Sequence, residues 1–199
     1  MAVSRSSSST ALRVAALALP VLALAGCAAL YTRHPVGNAH VPEPLKPVAL
    51  HEYLGRWYEL ARYDQSFEKN CAAVTADYSL RPDGKIAIVN RCTKPDGKEQ
   101  VAHGTAKIVP GSDGTKLKVS FFGPFYLGNY WVLDHAPDYA WSIVGDPSGR
   151  YLWILARTPH LDPAAMRMLI NRVAALGYNT NQLVMTLSLI HISEPTRPY

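Results

Sequence analysis

Short runs of alternating apolar and polar residues dominate the middle of the chain. Val74, Ala76, Tyr78 and Leu80 share one parity, with Thr75, Asp77 and Ser79 on the other. Tyr151, Trp153, Leu155 and Arg157 likewise fall on one face. A period of two is the signature of a strand with one buried face. Eight such segments follow one another: 56–63, 74–80, 85–92, 100–109, 116–122, 129–134, 140–145 and 151–157. Pro-Asp-Gly, Gly-Ser-Asp-Gly and Asp-Pro-Ser-Gly stretches divide them and supply turn chemistry. A helical turn over 50–54 precedes the first segment. With no helix between strands, the pattern predicts an antiparallel sandwich or barrel. One helix follows the strands. Asp162 suits its N-cap and Pro163 its first position, while Met166, Leu169, Ile170 and Val173 recur at helical spacing. Gly177 can end it in a left-handed cap. A helix with a single apolar stripe belongs on the outside of such a barrel.

The amino terminus follows a different rule. Arg5 and Arg13 precede an apolar run that ends in Leu24-Ala25-Gly26-Cys27. This is the pattern of a secretion signal over residues 1–26, closing on a lipobox whose Cys27 becomes the lipidated first residue. The uncharged stretch 14–32 is about long enough to span a membrane, but Pro20 interrupts it. Ala28, rather than an aspartate, after the lipidated cysteine favours the outer membrane, with the domain facing the periplasm. Two or more acyl chains would hold the protein there stably. Residues 27–49 carry Pro35, Pro42, Pro44 and Pro47 and read as a proline-stiffened tether. The domain proper then covers 50–186. Residues 187–199 depart from the domain pattern and read as translated sequencing-adapter sequence, the alternative being a natural C-terminal extension.

Three cysteines are an awkward count in an oxidising compartment. Lipidation of Cys27 leaves Cys71 and Cys92, which flank a hairpin. A cross-strand disulfide is the first expectation and two free buried thiols the second. The formal charge of +5 becomes +3 without Arg5 and Arg13, and no basic cluster with interleaved aromatics is present, so nucleic acid is not an expected partner. No serine elbow or phosphate loop occurs, and His51, His103, His135 and His160 are scattered. The chain therefore predicts no catalytic residues, no metal and no cofactor.

Three runs carry a resemblance: 54–62 (LGRWYELAR), 119–126 (VSFFGPFY) and 151–159 (YLWILARTP). With Gly55-Arg56-Trp57 early, Leu133-Asp134 later and Arg157 last, they resemble the lipocalin family, and the bacterial outer-membrane branch near apolipoprotein D in particular. One departure is Leu133-Asp134-His135, where the family usually has Thr-Asp-Tyr. The resemblance implies an all-β fold: an eight-stranded antiparallel up-and-down barrel with the helix packed outside. It implies that Gly55, Trp57, Asp134 and Arg157 are structural, with Arg157 lying across the Trp57 ring at the closed end. It also implies an interior cavity. By alternation, Tyr78, Ile86, Ile88, Asn90, Val119, Phe121, Trp131 and Trp153 face inward as candidate ligand contacts. The expected cargo is a fatty acid or lysophospholipid, and homodimers are possible by the same resemblance. The competing expectations are an envelope scaffold without cargo, and a barrel holding haem or another pigment.

Overall fold

The computed structural model describes residues 35–186. The proposed signal, the lipidation site Cys27 and residues 187–199 lie outside the described residues. Eight antiparallel strands run in simple succession: β1 (Gly55–Tyr63), β2 (Ala73–Leu80), β3 (Ile86–Thr93), β4 (Glu99–Ile108), β5 (Lys116–Ser120), β6 (Gly128–His135), β7 (Trp141–Gly145) and β8 (Leu152–Ala156). Each pairs with the next, and β1 pairs with both β8 and β2. The sheet therefore closes on itself and leaves no free edge along most of its height.

A helical turn, α1 (Leu50–Tyr53), precedes β1, and the helix α2 (Pro163–Ala175) follows β8. The capping signals act as the sequence predicts. Asp162 Oδ1 accepts from the Ala164 and Ala165 amides, both at 2.9 Å. At the other end Gly177 takes φ +87°. There the Tyr178 amide reaches Val173 O (3.2 Å) and the Gly177 amide reaches Ala174 O (2.9 Å), the two bonds of a Schellman stop. Leu169 and Val173 are fully buried against Leu60, Ile143, Leu152 and Ile154 on the outer face of the barrel. Each such side chain contributes about 1.5–3 kcal/mol by burial, which holds the helix to the sheet.

Two features depart from expectation. A ninth strand, β9 (Leu183–Met185), pairs with Ala61–Tyr63 of β1. Three residues are too few to show alternation, so nothing in the sequence marks it. β1 bulges between Glu59 and Ala61, and beyond the bulge its edge passes from β2 to β9. The second departure is the tether. Residues 36–49 are not a free linker but a strap along the barrel. The Gly37 amide donates to Gly149 O (2.9 Å), Lys46 Nζ to His135 O (2.5 Å) and the Val48 amide to Asp113 O (2.9 Å). A Cβ on Gly149 would fall 1.8 Å from Asn38 O, so only glycine lets the strap approach there. Prolines stiffen this segment, but what they shape is a docked strap, and the folded unit begins at Val36.

Candidate functional site

The two ends of the barrel are built differently. At one end α1 crosses beneath the strands, and the turns 81–85, 109–115 and 136–140 gather round it. Trp57 is completely buried there, and its Nε1 donates to Tyr53 O at 2.9 Å. The Arg157 guanidinium lies 3.8 Å from the Trp57 ring centroid and donates to the carbonyls of Arg56 (2.8 Å), Glu52 (2.6 Å) and Leu54 (2.9 Å). Gly55 sits at φ +93° under this guanidinium. The pair is a plug that satisfies the loop carbonyls and closes the floor. Asp134 acts on the outer surface instead: its Oδ2 accepts from Arg172 Nη1 at 2.7 Å and so ties β6 to α2.

Above the plug lies a small cavity lined by Leu54, Tyr78, Ile86, Ile88, Leu117 and Val119, among others. Its volume is about 20 Å³, the space of a single water molecule. Its wall is apolar except for a chain of hydroxyls: Ser142 Oγ to Tyr53 (3.0 Å), Tyr53 to Tyr130 (2.9 Å) and Tyr130 to Tyr78 (3.2 Å). Burial pushes the Tyr53 hydroxyl up to about 12 and raises Tyr78 and Tyr130 as well. These phenols are neutral donors at physiological pH, and the lining of this cavity carries no charged side chain.

Higher in the barrel the inward rows turn small. Register puts Ala76 opposite Asn90, Asn90 opposite Ala102, and Gly104 opposite Ile88. Ala102 has the same parity as Ala106, which lines the cavity, yet it is solvent-exposed. The barrel therefore widens into an open cup. Asn90 keeps a buried Oδ1 with no hydrogen-bond partner. On β1 and the loop after it, two strands away, sits a buried ionic group. Arg62 Nη1 donates to Glu59 Oε1 (2.8 Å), Nη2 donates to Glu68 O (3.0 Å), and Nε lies 3.6 Å from Glu68 Oε2. Trp153 Nε1 donates to Glu68 Oε2 at 3.2 Å, and Thr186 Oγ1 donates to Glu59 at 2.5 Å. Burial, then the neighbouring Glu59, raises Glu68 to about 8; burial also raises Glu59. One guanidinium serves two carboxyls in a low-dielectric wall. Cys71 and Cys92 are disulfide-bonded at the rim, with Cα atoms 5.3 Å apart.

Of the expected inward residues, Tyr78, Ile86, Ile88 and Val119 line the cavity, while Asn90 and Trp153 face the cup. Phe121 stands past the end of β5. Its ring covers Gly104 and borders an open depression of about 290 Å³ on the β3–β5 side. Trp131 is a correction: it faces outward. It pairs with Lys116, whose Nζ lies 4.3 Å over the indole, and it packs on the helix side. Tyr130, one residue earlier, takes the inward place opposite Leu117. The run Asn129-Tyr130-Trp131-Val132 has an aromatic at both parities, so alternation alone could not choose between them. The sequence pattern does not mark Glu59 and Arg62, since charges inside a strand ordinarily signal its solvent face, nor Glu68, which lies in the loop after β1 where a charge is ordinarily solvated.

A closed antiparallel barrel, plugged at one end and open at the other, with an inner wall that is mostly apolar near the plug and carries a few polar groups above it, is the architecture of a small-ligand binding protein. Sequence comparison narrows this class. The lipocalin-like domain profile matches residues 48–188, and the chain belongs to the lipocalin family, whose members are binding and transport proteins rather than enzymes. It is 42% identical over 153 residues to the outer membrane lipoprotein Blc of Vibrio cholerae, covering 74% of this chain and 89% of that protein. It is 35% identical to apolipoprotein D of Rattus norvegicus, covering 77% and 86%. Among solved structures, insecticyanin of the tobacco hornworm Manduca sexta superposes with a TM-score of 0.63 at 17% identity, over 80% of this chain and 92% of that one.

Proposed function

We propose that the protein is a lipid-anchored lipocalin of the outer membrane, facing the periplasm. It would carry or store fatty acids or lysophospholipids in the calyx in support of the envelope. The observation that carries this reading is the graded interior, with a cavity of uncharged, mostly apolar lining above the plug and a cup of small rows beyond it. A single acyl chain suits that shape, since it needs length and no charge at its far end. Each buried methylene contributes about 0.8 kcal/mol. A chain of about 14 carbons would thus gain about 11 kcal/mol; an association cost of about 4 kcal/mol, the low end of its range, leaves about 7 kcal/mol, or binding at about 10 μM. The lipoprotein name of the Vibrio cholerae relative, together with Leu24-Ala25-Gly26-Cys27, supports the anchor at Cys27.

The volume of the floor void decides how deep cargo reaches. At about 20 Å³ it admits no acyl segment unless Tyr78, Leu54 or Tyr130 moves. The same observation favours a second reading, an envelope scaffold without cargo. Titrating delipidated protein with a fluorescent fatty acid separates the two. Saturable binding that Ala102→Trp abolishes and Ile88→Trp weakens supports a cup-to-floor ligand path. No saturable binding in the micromolar range leaves the scaffold.

A further inference from the structure

The ionic group on β1 and the loop after it is unevenly balanced. Arg62 is only 4% exposed. Its Nη1 is committed to Glu59 Oε1 (2.8 Å) and Thr186 Oγ1 (3.2 Å), and its Nη2 to the Glu68 carbonyl (3.0 Å). The third nitrogen, Nε, is buried without a hydrogen bond, 3.6 Å from Glu68 Oε2. That carboxyl oxygen accepts instead from Trp153 Nε1 at 3.2 Å, a neutral donor. Glu59 thus holds the cation, and Glu68 has only a share of its field. The loop keeps this carboxyl from turning out to water. The Cys71 amide donates to Glu68 O (3.2 Å), and Cys71 is disulfide-bonded to Cys92 of β3. The carboxyl also faces the interior. Tyr78, raised by burial and then by Tyr53, feels the Glu68 charge as well, and Tyr78 lines the cavity above the plug.

The charged and titratable groups facing Glu68 are Glu59 and Arg62 from β1, Asp64 from its own loop and Tyr78 from β2. Glu59, Glu68 and Arg62 together leave one negative charge unmet when both acids are ionised, which is costly in a buried wall. At neutral pH a proton meets it: burial, then Glu59, raises Glu68 to about 8. A cation on the cargo can take the place of that proton. We propose that Glu68 receives the ammonium head of a single-chain amphiphile whose tail runs toward the uncharged cavity, and that binding sends the Glu68 proton to solvent. A carboxylate head has no equivalent partner there, because Glu59 and Glu68 repel it and both Nη atoms of Arg62 are already bonded. Glu68 then selects for the head of the cargo, while the floor accepts the tail. The proposal rests on the carrier reading above and narrows it.

The test compares heads on one tail. Full-length delipidated protein is titrated with tetradecylamine, tetradecanol, tetradecanoate and the lysophosphatidylethanolamine of the same tail, by displacement of a neutral naphthyl probe and by calorimetry. Alkyl ammonium groups titrate near about 10.4, so the amine stays charged from pH 6 to pH 8. Over that range its affinity should rise roughly 50-fold, as the fraction of ionised Glu68 rises, while the alcohol changes less than twofold. Calorimetry at pH 7 in phosphate and in Tris should show close to one proton released per amine bound and none per alcohol. In Glu68→Gln the amine should lose both its pH dependence and its proton release. The lysophospholipid distinguishes an amino phospholipid from a simple amine as the source of the ammonium, and the same pH rise with either one supports the site. The inference is overturned if both ammonium probes bind no tighter than the alcohol at pH 8, if no proton is released, or if Glu68→Gln keeps the pH dependence. If none of the four probes binds, the carrier reading falls and takes the inference with it. If the alcohol binds and an ammonium adds nothing, the inference alone falls.

Discussion

Removing the Arg157 guanidinium should loosen the floor of the barrel by an amount that can be worked out from its contacts. The group lies 3.8 Å over the Trp57 ring and donates to three carbonyls at 2.6–2.9 Å. The ring contact is worth about 0.5–2 kcal/mol. Charge-assisted bonds to carbonyls are worth about 1.5–3 kcal/mol each when dry, but this end is partly open and water can replace some of them. Arg157→Ala should therefore cost about 3 kcal/mol. Arg157→Lys keeps a cation over the indole but loses the fork, and should cost about 1–2 kcal/mol. Urea unfolding of the mature domain would show a midpoint lowered by about 1.5 M with an unchanged slope, for a slope of about 2 kcal/mol/M. A double-mutant cycle with Trp57→Leu should return a coupling of about 0.5–2 kcal/mol. Because Glu52 and Leu54 flank Tyr53, which lines the cavity, the alanine variant should also bind acyl ligands more weakly. A loss of less than about 0.5 kcal/mol for Arg157→Ala would refute the reasoning, since the plug would then be geometry without energy.

The buried carboxyls make stability depend on pH. Glu68 is raised above its ordinary value to about 8, so the stability tied to its protonated form is full below about pH 4.5 and is lost as pH rises through about 8. Glu68→Gln should raise the melting temperature at pH 8 and change it little at pH 4; a gain confined to acid pH would contradict the assignment. Cys71→Ser with Cys92→Ser opens a link across 21 residues and should cost about 3 kcal/mol, read as a matching fall in stability when the parent is reduced. Tyr130→Ala should weaken fatty-acid binding severalfold, whereas Trp131→Ala should leave it unchanged. Equal losses would mean that the two faces of β6 have been misassigned.

Much of the fold can be read from alternation and turns. β2 shows why: Val74, Ala76 and Tyr78 are apolar on one face only, and the structure puts that face inside. The caps of α2 were equally plain because Asp162, Pro163 and Gly177 each act through the local backbone. The site was legible where one face was apolar and the other polar, as at Ile86 and Ile88. It was not legible at β6, where aromatics occupy both parities. Nor was it at β1, where the Glu59–Ala61 bulge shifts the parity and turns Arg62 into the same interior as Glu59. The strap escaped notice for another reason: its contacts with Gly149, His135 and Asp113 are all long-range, and local composition carries no trace of them.

The claim that the calyx holds an acyl chain is tested most directly by photo-crosslinking. A fatty acid with a diazirine near its tail, bound to delipidated protein and irradiated, should label peptides of β3 and β5–β6 at Ile88, Val119 or Tyr130, and excess unlabelled lipid should suppress the labelling. Labelling confined to the outer face, at Trp131 or the Phe122 lip, and insensitive to competitor, would contradict an interior site.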